Sequence, residues 1–83
     1  MAKQSRFVIH NDDGEPMILN IEPEGAFFRL DAGKFVSVLD LYDASPVTLK
    51  LSRSEDGAPI ISIWPGDGEV KVEQDGLDVL DLM

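Results

Sequence analysis

The sequence predicts an all-β fold, a small single-domain antiparallel sandwich or partly open barrel of about seven strands. Three observations carry that prediction. Turn signals recur at intervals of roughly eight to twelve residues, and the segments between them alternate apolar and polar residues with the strand period. The composition, 43% hydrophobic and 28% charged, is that of a globular chain and not of a disordered one. Eighty-three residues hold one core, so the domain is expected to span 1–83, with 1–5 and 82–83 frayed.

The elements follow in order. Arg6 to His10 opens as a strand that ends at Asp12-Asp13-Gly14-Glu15-Pro16. In Met17-Ile18-Leu19-Asn20-Ile21-Glu22, residues Met17, Leu19 and Ile21 share one face while Asn20 and Glu22 face water. Glu22-Pro23-Glu24-Gly25 and Asp31-Ala32-Gly33-Lys34 bracket a third strand that contains Phe27 and Phe28. Phe35 to Tyr42 is rich in β-branched residues, although Leu39, Leu41 and Tyr42 also fit a helical turn. After Asp43-Ala44-Ser45-Pro46 comes the cleanest alternation, Val47-Thr48-Leu49-Lys50-Leu51-Ser52, which directs Val47, Leu49 and Leu51 to the core. Glu55-Asp56-Gly57-Ala58-Pro59 then leads into Ile60-Ile61-Ser62-Ile63-Trp64, apolar enough to be covered on both faces. Pro65-Gly66-Asp67-Gly68 precedes a further alternating run, Glu69 to Glu73.

The chain closes on Asp75-Gly76, a strong signal for a two-residue hairpin turn in which both central residues need positive φ. That register sets Val72 against Val79 and Glu73 against Asp78. The second pair is like-charged and should cost a few tenths of a kcal/mol, roughly, unless the turn is longer or a cation relieves it. The tail, Leu77 to Met83, reads as a last strand or a short helical end. The expected core is Phe7, Ile9, Met17, Leu19, Ile21, Phe28, Leu30, Val36, Val38, Val47, Leu49, Leu51, Ile61, Ile63, Val70 and Val72.

Charge and composition bound the function. Sixteen acids against seven bases give a net charge of −9, and from Asp67 onward there are six acids and one lysine. Such a field repels nucleic-acid phosphate and anionic lipid and favours a basic protein partner. With no cysteine there is no disulfide, zinc–thiolate site, iron–sulfur cluster or thiol nucleophile. A signal peptide and a membrane-length apolar run are also missing, so a cytoplasmic location is the expectation.

Candidate sites are few. Asp12, Asp13 and Glu15 in one loop, and Asp67 and Glu69 in another, offer oxygen ligands for calcium. Neither loop follows the twelve-residue calcium template, and Asp-Gly is also what a hairpin demands. The single histidine, His10, shares a face with Val8 and Arg6 and lacks a nucleophile and an orienting partner. Phosphate-loop and dinucleotide motifs are absent. No catalytic residue and no cofactor is therefore expected, and a chain this small has little room for both a core and a substrate cleft. The aromatics Trp64, Phe27 and Tyr42 are the partner-binding candidates, because exposed aromatics at strand ends anchor partners or stack on sugars. The bland expectation is that Trp64 packs over the end of the core and Phe27 covers a sheet edge. The leading functional expectation is a non-enzymatic protein-interaction module, self-associating as a homodimer through a sheet edge. The alternatives are a calcium- or cation-stabilised β domain and a carbohydrate-binding module using Trp64 and Tyr42.

Overall fold

The computed structural model describes residues 2–82 and shows a sandwich of two four-stranded sheets. The strands are β1 (Lys3–His10), β2 (Met17–Ile21), β3 (Ala26–Leu30), β4 (Phe35–Tyr42), β5 (Thr48–Arg53), β6 (Pro59–Trp64), β7 (Glu69–Gln74) and β8 (Leu77–Asp78). Sheet 1 has the order β1-β4-β7-β8 and sheet 2 the order β3-β2-β6-β5. Lys3, Gln4 and Ser5, where fraying is expected, pair with Tyr42, Leu41 and Asp40.

Alternation becomes packing wherever a second layer lies opposite. Met17, Leu19 and Ile21 of β2, Leu30 of β3 and Ile63 of β6 point inward from sheet 2 and are buried. They meet Ile9 of β1, Val36 and Val38 of β4 and Val72 of β7 from sheet 1, with Val79 completing the cluster. Phe7, Phe28, Val47, Ile61 and Val70 pack half-buried at its margin. Phe35 to Tyr42 is strand throughout, so its helical alternative is excluded. The sheets are antiparallel with one exception: β2 and β6 run parallel from Ile18↔Ile60 to Ile21↔Ile63. The chain leaves sheet 2 after β3, crosses to sheet 1 for β4 and returns as the β5–β6 hairpin, so β6 arrives in the direction of β2.

The tail resolves as both of its alternatives. Asp75 and Gly76 have φ of 53° and 80°, the two positive values a two-residue hairpin needs. Glu73 then faces Asp78 as the register requires. Two neighbours relieve that pair. Arg6 reaches Glu73 from β1 at 3.8 Å, while Asp78 caps a short 3-10 turn, Val79–Asp81, by accepting the Leu80 N–H at 3.0 Å. The ladder therefore stops at Asp78, and Val79 packs into the core instead of pairing across to Val72.

Two corrections concern the core. Leu49 and Leu51 are expected inside, yet they are 42% and 81% exposed. Their faces are assigned correctly, because they pair with inward-facing Ile63 and Ile61 on β6. Sheet 1 simply does not extend over β5. In the opposite sense, two polar residues are buried among the described residues. Asn11 ties the β1–β2 turn to the end of β3: its side-chain amide donates to the carbonyls of Glu15 (2.9 Å) and Leu30 (3.0 Å) and accepts the Asp13 N–H (3.0 Å). Asp40, on the inner face of β4, accepts the N–H of Val47 at 2.9 Å where the chain enters β5. Its other oxygen has no hydrogen-bond partner. Removing this tie strands a half-buried amide, so Asp40→Ala should destabilise by about 1–3 kcal/mol in urea unfolding. Asp40→Asn, which keeps an acceptor for Val47, should cost less.

Candidate functional site

The site is built on β5, and its character follows from strand order. Both outer strands of a sheet leave one row of backbone N–H and C=O groups without a ladder partner. The open edges here are β1, β3, β5, the two-residue β8 and residues 69–72 of β7, which β8 does not reach. β1 and β3 bury at least part of their inward face, through Ile9 and Leu30 respectively. In β5 all six residues are exposed. An extended apolar face and an unpaired backbone edge thus coincide on one strand.

Local chemistry holds β5 at both ends. At its start, the loop before it is clasped by the loop after β6. Asp67 accepts the N–H groups of Asp43, Ala44 and Ser45 at 2.9, 2.8 and 3.0 Å, and its own N–H donates to the Ser45 carbonyl at 3.0 Å. These donors, Ala44 first, then Asp43 and Ser45, hold the Asp67 carboxyl below the usual aspartate range. The backbones approach so closely that a Cβ at Gly66 or Gly68 would collide with the carbonyls of Ser45 or Leu41. At the other end, Gly57 (φ 88°) closes the β5–β6 turn. Ser54 donates both its N–H and its hydroxyl into that turn, to Ala58 and Asp56. The Ser54 hydroxyl, with the Ala58 N–H second, lowers the Asp56 carboxyl from its ordinary value.

Side chains divide cleanly between the two faces of β5. Leu49 and Leu51 extend the apolar inner face of sheet 2, whereas Thr48, Lys50 and Ser52 join the outer face opposite Trp64, Ser62 and Ile60. The Lys50 ammonium lies 5.3 Å from the centroid of the Trp64 ring, a cation–π distance. Arg53 ends the strand with its guanidinium donating to the Gly57 carbonyl at 3.0 Å. Among the described residues the ion pairs are Arg6–Glu73 and Arg29–Asp31, so neither Lys50 nor Arg53 has a carboxylate partner.

The sequence candidates scatter around this strand. Trp64 is 38% exposed and lies on the outer face, because Ile63 beside it points inward, so it does not pack over the end of the core. Phe27, 62% exposed, stands on the same outer face but three strands away, with Asn20 and Ser62 between it and Lys50. Tyr42 is half-buried at the end of β4 in the other sheet. His10 is exposed opposite Phe35. Asp12, Asp13 and Glu15 lie in the turn braced by Asn11, and Asp13 accepts the N–H of Gly14. Glu69 helps line a cleft of about 410 Å³ with Glu22, Glu24, Lys71 and Asp78. Among the described residues no three histidine, aspartate or glutamate side chains converge on one metal position, and no helix is long and apolar enough to cross a membrane.

No protein family, curated protein or solved structure matches the chain. Its site is therefore read from chemistry alone. The feature sequence reasoning missed is the exposure of Leu49 and Leu51. The signal available for it was the basic, acid-free composition of Thr48–Arg53 in an acidic chain, since edge strands are where lysine and arginine are favoured. Asp40 also had a signal: it is in phase with Val36 and Val38, so the alternation that buries them buries it too.

Proposed function

We propose that this protein is a non-enzymatic protein-interaction module that binds by adding a strand to the outer edge of β5. The observation that carries the reading is the exposure of all six β5 residues, Leu49 and Leu51 included. Strand addition uses what such an edge offers: backbone hydrogen bonds supply affinity, and alternate side chains supply specificity. The bracing of both ends of β5, by the Asp67 clasp and the Gly57 turn, supports it further, since a pre-ordered edge loses little entropy on pairing. A six-residue edge is small beside the roughly 1,600 Å² of a standard interface, so the contact is expected to be weak and reversible. The carbohydrate reading lacks a shared platform, because Trp64 and Tyr42 belong to different sheets.

The test is a titration with capped six-residue peptides that alternate valine with glutamine, glutamate or lysine, followed by amide chemical shifts. The expected result is shifts centred on Thr48–Arg53 and their β6 neighbours. Shifts confined to β1, β3 or the Phe27 face, or none with any peptide, would overturn the proposal.

A further inference from the structure

We infer that the strand taken up at β5 is acidic, an extended segment in which apolar residues alternate with aspartate or glutamate. This rests on the reading of β5 as a strand-adding edge and names the chemistry of what is added. Directly opposed residues in a β ladder share a face. Apolar partner residues would therefore sit beside Leu49 and Leu51 on the inner face, and the residue between them would stand beside Lys50 on the outer face. A carboxylate there meets an ammonium that has no other anionic partner and is already placed by the Trp64 ring. Arg53 stands in phase with Leu49 and Leu51, so the alternating segment sets an apolar residue beside it and Lys50 alone meets the carboxylate.

The alternative occupant, a second copy of this chain, lacks the complementary charge. Its long open edges are β1 with Lys3 and Arg6, β3 with Arg29, and β5 itself, and none of the three contains an acid. The acid-bearing open edges are short: β8 has two residues, and in residues 69–72 of β7 Lys71 shares the face of Glu69. Antiparallel pairing of β5 with β5 that sets Leu49 beside Leu51 of the second copy would also set Lys50 beside Lys50. The overall charge of −9 opposes an acidic ligand at long range. At physiological ionic strength the screening length is about 8 Å, so distant acids fade while contacts along the strand persist. The Lys50 ammonium then decides the preference.

The experiment compares the glutamate, glutamine and lysine peptides against the wild type and the Lys50→Glu variant at physiological salt. Lys50 is exposed, so the variant keeps the core. The wild type should bind the glutamate peptide roughly three- to ten-fold more tightly than the lysine peptide, from one exposed charge contact that is attractive with the first and repulsive with the second. The glutamine peptide should fall between them, and the order should reverse in the variant. Equal affinities, or a wild-type preference for lysine, would overturn the acidic assignment and leave strand addition standing. Failure of every peptide would remove both. Sedimentation supplies the last arm: a dimer abolished by Leu51→Lys would make the second copy the occupant and overturn the inference, whereas a monomer agrees with it.

Discussion

Ile63→Ala should cost about 2–5 kcal/mol, while Leu51→Ala should change stability by less than about 0.5 kcal/mol. Both side chains project from the same face of sheet 2, on adjacent strands joined by direct pairs. They differ in what lies opposite. Ile63 is fully buried between the sheets, so truncation loses its transfer energy and leaves a cavity. Leu51 already faces solvent in the folded chain and has almost no burial to lose. Urea unfolding of the two variants measures the contrast directly. Similar losses for both would mean that β5 is covered, and the proposed site would not exist.

The second large effect lies in the clasp that positions β5. Gly68→Ala, or Gly66→Ala, drives a methyl group into a backbone carbonyl, of Leu41 or Ser45 respectively. Neither carbonyl can rotate away as a side chain would, so the segment around Gly66 and Gly68 must move off the end of β4 and the loop that follows it. The expected loss is about 1–3 kcal/mol or more, with the Asp43–Ser45 amides losing hydrogen-exchange protection first. Asp67 adds a pH signature. Its folded pKa is depressed by the Ala44, Asp43 and Ser45 N–H groups. Its contribution is therefore complete above an unfolded value of about 4 and is lost as pH falls through the lower folded value. Asp67→Asn should be less stable than the wild type at neutral pH, and the gap should close in acid. A constant gap down to the acid transition would show that the charged carboxylate does not hold the clasp.

Much of this fold is legible in the sequence because local chemistry specifies it. Asp75-Gly76 dictates a two-residue turn, and that turn alone fixes Glu73 opposite Asp78. Val72 stands between Lys71 and Glu73 and is buried as that alternation requires. Leu49 and Leu51 mark where the reasoning stops. Alternation reports which face of a strand is apolar, but whether a second layer reaches that face depends on strand order, which is non-local. The same limit hides the parallel pairing of β2 with β6 and the Asp67 clasp, which joins residues more than twenty positions apart. The candidate site is thus legible as a strand and as a patch of charge, and only the assembled sheets reveal it as an open edge.

Thiol labelling gives the decisive view of that edge. The chain has no cysteine, so Leu51→Cys and Ile63→Cys each introduce a single reporter, one on the open strand and one in the core. In the free protein Leu51→Cys should react at close to the rate of an unstructured peptide thiol, whereas Ile63→Cys should react only through unfolding. The glutamate peptide should slow the first and leave the second unchanged. A Leu51→Cys thiol as protected as that of Ile63→Cys, before any ligand is added, would contradict an open β5.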